Sequence, residues 1–156
     1  MSSKFRYLVA ASLGCTALAV SSGAAQAMTV SLGSPSLTSR LLVTVPVTVT
    51  CSPFDPSLTV FSESIGASVE QASGRAIAHG FTQQLVFSVP ATLFTCDGSA
   101  TTIPVQVPAD TSSVPFHGGN AIVSASAGAS AGTCFGTSCF GNTSQFASVG
   151  PVSVRI

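Results

Sequence analysis

Residues 128–132 (GASAG) match the G-x-S-x-G pattern that in α/β-hydrolases holds a nucleophilic serine on a sharp turn, and residues 117–119 (HGG) faintly resemble an oxyanion loop. Ser130 would be the nucleophile. That elbow needs a strand, a turn and a helix on a large parallel sheet, with an acid and then a histidine later in the chain. After Ser130 there is no Asp, Glu or His, so the match is rejected. His79 and His117 are the only histidines; a functional pair would need to converge with an acid such as Asp97 or Asp110, and nothing in their spacing says that they do. His79 shares a strand parity with Ile77 and Phe81, which predicts a hydrogen-bonded sheet histidine; His117, ahead of two glycines, reads as a loop residue. Asp55, Asp97 and Asp110 sit in turn contexts, where a carboxylate accepts from local backbone. No D-x-D-x-D-G loop exists, so a calcium site would have to be assembled from distant loops. No catalytic residue, cofactor site or metal ligand is expected, and the chain reads as non-enzymatic.

The cysteines carry a clearer message. Lys4 and Arg6 open a leader whose apolar run, residues 7–20, is too short and too rich in small residues for a membrane span; residues 25–27 (AQA) form a cleavage site. Residues 1–27 are therefore expected as a signal peptide, with no transmembrane segment. A lipoprotein reading would use Cys15, but the residues before it, Ser12-Leu13-Gly14, make a poor lipobox. Cys51, Cys96, Cys134 and Cys139 remain in residues 28–156. An even number in a secreted chain predicts disulfides, and four allow three pairings. The expected pairs are Cys51–Cys96, joining two strand ends, and Cys134–Cys139, closing a tight loop through Gly136. Zinc is disfavoured, because a lone C-x4-C has no nearby histidine to complete it.

The elements that must carry these residues are strands. Residues 41–51 (LLVTVPVTVTC) alternate Leu41, Val43, Val45, Val47, Val49 and Cys51 against hydroxyl-bearing residues, the period of a half-buried strand. Pro46 cannot donate to a ladder, which predicts an edge or a bulge there. Further strands are expected at residues 28–32, 58–62, 65–72 (or a single helical turn), 74–81, 85–89 and 121–127, with a closing strand at 152–156. Residues 92–107 read as a hairpin turning at Asp97-Gly98. Residues 130–150 read as a Gly/Ser-rich connection pinned by the short disulfide. Short strands at regular spacing without a convincing helix predict a single all-β domain over residues 28–156, an immunoglobulin-like antiparallel β-sandwich of about seven to nine strands.

In residues 28–156 three arginines stand against five carboxylates, with no lysine, a net charge of −2. This leaves no basic footprint for nucleic acid or an anionic membrane. The region also lacks Trp and Tyr, the rings on which carbohydrate sites stack sugars. Its nine phenylalanines read mostly as core. Phe135 and Phe140 flank the short disulfide; they are candidates for an exposed contact, although folding under the loop is the expected outcome. Residues 142–144 (NTS) form a glycosylation sequon, expected as an exposed polar loop.

Three pieces of the chain, residues 47–60 (VTVTCSPFDPSLTV), 94–127 (from FTCDGSATTIPVQV to AIVSASA) and 150–156 (GPVSVRI), resemble a group of small secreted actinobacterial proteins without an assigned function. The general plan, with Cys134 and Cys139 followed by a closing strand, resembles the neocarzinostatin-like apoproteins, secreted immunoglobulin-like sandwiches that carry an enediyne chromophore. The widely separated Cys51 and Cys96 depart from that family, whose other disulfide is local, and no ligand-binding residue is carried over. The leader, the paired cysteines, the strand pattern and the lack of a convergent catalytic set imply a secreted structural or binding module without cofactor, its partner an extracellular protein, the cell wall or a small molecule. Two alternatives are a small-molecule carrier with an apolar cleft near the Cys134–Cys139 loop and an enzyme inhibitor that presents that loop as a rigid bait.

Overall fold

Strand β3 (Leu42–Cys51) sets the architecture. Val43, Val45, Val47, Val49 and Cys51 are buried while the residues between them stay half-exposed, as alternation across a pleated strand requires. One edge pairs antiparallel with β6 (Ala100–Pro108); the other pairs end to end with β1 (Met28–Leu32) and β2 (Ser36–Ser39). The computed structural model describes residues 27–136 and 138–156. The expected signal peptide apart from Ala27, and Cys15 within it, lie outside these.

Pro46 does not put β3 at an edge. The interruption falls in the neighbouring strand instead: β1 and β2 part at residues 33–35, opposite a proline with no N–H to give. Gly33 donates its N–H to the Pro46 carbonyl at 2.8 Å, and a Cβ on Gly33 would stand 2.9 Å from the proline Cβ. Only glycine lets the chain pass there.

The second sheet is built from β4 (Thr59–Ser73), β5 (Ala76–Phe87), β7 (Asn120–Phe135) and β8 (Ser138–Arg155), in the order β5-β4-β7-β8. All pairings are antiparallel. If β1 and β2 count as one interrupted first strand, the chain follows an immunoglobulin-like path, with the fourth strand on the same sheet as the third. The all-β sandwich thus stands as predicted, with eight strands and no helix among the described residues.

Several elements differ from the sequence reading. The strands expected at 58–62 and 65–72 are one strand, Thr59–Ser73, and those at 74–81 and 85–89 are one strand, Ala76–Phe87. Residues 92–96 are not a strand, and β6 pairs with β3 rather than turning back on them. The supposed connection at 130–150 is a long hairpin: Ala129 faces Gln145, Cys134 faces Cys139 and Phe135 faces Ser138. The sequon at 142–144 therefore lies in β8, not in a loop.

The core sits between the valine face of β3 and β6 and an alanine-rich face of the second sheet, made of Ala67, Ala78, Ala121, Ala125, Ala127 and Ala129 with Ile65, Val69 and Val123. Each fully buried valine contributes roughly 1.5–3 kcal/mol of transfer free energy. Phe94 plugs one end of the sandwich and Phe116 the other. At the Phe116 end a Cβ on Gly80 would meet the Pro108 carbonyl oxygen at 2.3 Å, so glycine permits that close approach of β5 to β6.

Both expected disulfides are present. Cys51–Cys96 joins the end of β3 to the β5–β6 loop, rather than to a second strand, across 45 residues; Cys134–Cys139 staples the β7–β8 hairpin. Among the described residues no helix is long and apolar enough to cross a membrane.

Candidate functional site: the outer face of the four-stranded sheet

On β5 the two parities are sorted against the usual rule. Ala78 and Gly80 point inward, where Phe116 and Val107 leave little room, so Ile77, His79, Phe81, Gln83, Leu85 and Phe87 point outward. Residues directly opposite on neighbouring strands share a face, and the register therefore builds the outer surface in rows. Phe87 lies beside Ser62 and Ser130, Leu85 beside Ser64 and Gly128, Gln83 beside Gly66 and Ser126, Phe81 beside Ser68 and Ser124. On the far side Phe146 of β8 faces Gly128, its ring 3.4 Å from where a Cβ would stand. The outcome is a floor of serine and glycine between an apolar ridge on β5 and an aromatic wall on β8. The floor's hydroxyls bond one another, Ser68 to Ser124 at 2.7 Å and Ser130 to Ser144 at 3.0 Å.

This trough opens at one end into a cleft of ≈ 430 Å³ beside the Cys134–Cys139 loop, lined by Phe61, Phe87, Ser88, Val89, Gly136 and Cys139. Phe61 reaches it because the β4–β7 register slips between Val60 and Ser62, lifting it out of strict alternation. None of these lining residues is ionisable, since Cys139 is held in the disulfide. Phe135 and Phe140 do not fold under the hairpin: they are 72% and 63% exposed on its end. The hairpin projects past the sandwich there, leaving no core for them to cover.

The candidate chemical residues disperse over this frame. Ser130 and His79 lie on the same face but eight residues of β4 apart (Ser62 against Glu70), about 26 Å along the strand. His79 does meet an acid: Nδ1 is 2.5 Å from Asp110 Oδ2, and Nε2 is 3.9 Å from Glu70 Oε1. Asp110 occupies Nδ1 and the Glu70 carboxylate stands nearest Nε2, so this exposed cluster is a surface polar group, with no hydroxyl among the described residues turned towards the ring. Asp110 opens the expected turn, its carbonyl accepting the Ser113 N–H, but its carboxylate goes to His79 rather than to local backbone, and its N–H donates to the His79 carbonyl. His117 Nδ1 bonds the neighbouring Gly118 carbonyl at 2.9 Å. Asp55 and Asp97 behave as predicted: each accepts from the hydroxyl and N–H of a serine two residues on, Ser57 or Ser99. Those bonds, the hydroxyl's first, hold both carboxyls below the usual range. Among the described residues no three of His, Cys, Asp and Glu gather as a metal-binding group.

Three buried polar side chains escaped the sequence reading, and each ties a loop to the sandwich. Glu63 accepts the N–H groups of Leu93 (2.5 Å) and Phe94 (3.2 Å). Burial pushes its carboxyl up, against the opposing pull of those two donors. Gln71 donates to the His117 carbonyl at 2.7 Å and accepts the His117 N–H at 2.9 Å. Gln145 donates to the Ser52 carbonyl at 2.8 Å. The signal was present: each occupies the inward parity of its strand, where a long polar side chain must find a partner.

No protein-family model, curated protein or solved structure matches the chain.

Proposed function

We propose that this protein is a secreted, non-enzymatic binding module, and that it holds an uncharged apolar small molecule in the cleft beside the Cys134–Cys139 loop. The observation that carries the reading is the cleft itself, ≈ 430 Å³ with Phe61, Phe87 and Val89 on its walls and no charge among its lining. That volume falls in the range of about 300–1,000 Å³ typical of ligand sites, which are concave and mostly apolar. The stapled hairpin supports the reading, because a wall held by a disulfide loses little freedom when a ligand arrives. The two disulfides and the leader-like start support an oxidising, extracellular setting. The non-enzymatic part rests on the separation of Ser130 from His79 and on the carboxylates that flank the imidazole. The resemblance to the carrier apoproteins belongs to this proposal for its general plan alone.

Native and denaturing mass spectrometry of the protein secreted by its own host tests it. Expected is a bound mass that is lost on denaturation and absent from Phe87→Ser. A ligand-free protein that also shows no saturable binding of anilinonaphthalene sulfonate overturns the reading. A second reading, an inhibitor that presents the hairpin tip, is favoured by the exposure of Phe135 and Phe140. Slowing of a secreted protease that Phe135→Ala abolishes would place it first.

A further inference from the structure

The cleft uses only one end of the outer face, and the rows beyond it leave a large apolar surface without a partner. Ile77, Phe81, Leu85, Phe87, Ile122 and Phe146 are between 48% and 71% exposed. At roughly 100 Å² of exposed surface apiece they present about 600 Å², the upper end of what a monomer ordinarily leaves open. With the serine and glycine floor between them the face reaches about the 800 Å² per partner of a standard interface.

The arrangement of this face is self-complementary. The three rows led by Phe81, Leu85 and Phe87 on β5 carry small side chains on β4 and β7: Phe81 beside Ser68 and Ser124, Leu85 beside Ser64 and Gly128, Phe87 beside Ser62 and Ser130. A two-fold axis parallel to the strands, passing over β4, keeps row against row and sets β5 of one copy against β7 of the other, with β8 flanking the partner's β5. It lays the β5 ridge of each copy into the serine–glycine floor of the other. Face-to-face sheets pack at about 30°, so the register holds best over the central rows. Isologous contacts of this kind are the commonest route to a homodimer.

We propose that two copies of this chain associate through the outer face of the four-stranded sheet, ridge into floor, about that axis. This goes beyond the binding reading and does not rest on it. The test is sedimentation velocity of the purified protein over a wide range of dilution, with Phe81→Ser to remove the ridge and Ser126→Glu to fill the floor. Expected is a dimer that dissociates on dilution. Each variant should weaken it by roughly tenfold or more while leaving the thermal unfolding curve in place, since both positions lie outside the core. A wild-type protein that stays monomeric at every concentration overturns the proposal. So does a dimer that neither variant disturbs, which would place the contact on another surface. If one variant does not fold, the other decides alone.

Discussion

The two outer faces of the sandwich belong to the same molecule and obey opposite rules. On the sheet of β1, β2, β3 and β6 the outward residues of β3 are Thr44, Pro46, Thr48 and Thr50, facing Ser36, Ser31 and Thr29 on one side and Gln106, Pro104, Thr102 and Ala100 on the other. Thr48 and Thr102 share a hydrogen bond at 2.8 Å, as do Thr38 and Thr44. That is the ordinary solvated face of an antiparallel sheet. On the sheet of β4, β5, β7 and β8 the corresponding face carries Ile77, Phe81, Leu85, Phe87 and Phe146. Both sheets bury their other face equally well, so the sandwich has no need of this second apolar surface. Folding accounts for what is inside; the asymmetry outside is what the ligand and dimer proposals account for.

The largest effect that sharpens the contrast comes from the disulfides, one tied to the core and one at the rim of the apolar face. In the chain-entropy model, closing the long loop between Cys51 and Cys96 is worth roughly 4 kcal/mol, and the six-residue loop between Cys134 and Cys139 roughly 2. Denaturant unfolding of Cys51→Ala/Cys96→Ala should show the larger loss. Cys134→Ala/Cys139→Ala should lose less stability and more apolar dye binding, because its staple holds a wall of the cleft. Equal dye binding with and without the short disulfide would detach the cleft from the hairpin.

The next effect compares the buried core with the outer face of the second sheet. Val47 is fully buried on β3, whereas Leu85 is half-exposed on the outer face. Val47→Ala should cost about 2 kcal/mol through lost burial and the cavity left behind. Leu85→Ala, measured at high dilution, should stay within about 0.5 kcal/mol of wild type, as surface substitutions do. A large cost at Leu85 in the monomer would mean that this face belongs to the folding core after all.

The parity of residues 41–51 made β3 and its buried side legible, and the spacing of the cysteines made the pairing legible. Parity on β5 separated Ile77, His79 and Phe81 from Ala78 and Gly80, but alternation names two faces without saying which one is inside. Phe116, Val107 and Pro108, all distant in sequence, decide it by crowding Gly80. The β7–β8 hairpin was legible only at its open end, the strands at 121–127 and 152–156; residues 130–150 were not, because serine, glycine and alanine are weak strand formers and that stretch is extended through pairing with β4 and with itself. Residues 92–96 looked like a strand, yet their apolar Phe94 fills the end of the core while Glu63 takes the N–H groups of Leu93 and Phe94. A carboxylate between Phe61 and Ile65 was the one readable sign of that anchor.

The smallest expected effect concerns that buried carboxylate and the two exposed ones. Glu63 has its folded-state pKa raised by burial. Folding therefore favours its protonated form: its contribution is fully present below the unfolded value and is lost as pH rises through the raised one. Asp55 and Asp97 have theirs lowered, so their contributions are present above the unfolded value and fade as pH falls through the lowered one. Glu63→Gln keeps an acceptor for the Leu93 and Phe94 N–H groups and removes the ionisation. Thermal unfolding from acid to neutral pH should show wild type losing stability relative to this variant as pH rises, while the acid-side loss set by Asp55 and Asp97 stays common to both. A difference between the two proteins that does not change with pH would mean that the Glu63 carboxyl ionises in the folded protein as readily as in the unfolded chain. The loop over the apolar end of the sandwich would then be held by hydrogen-bond geometry alone.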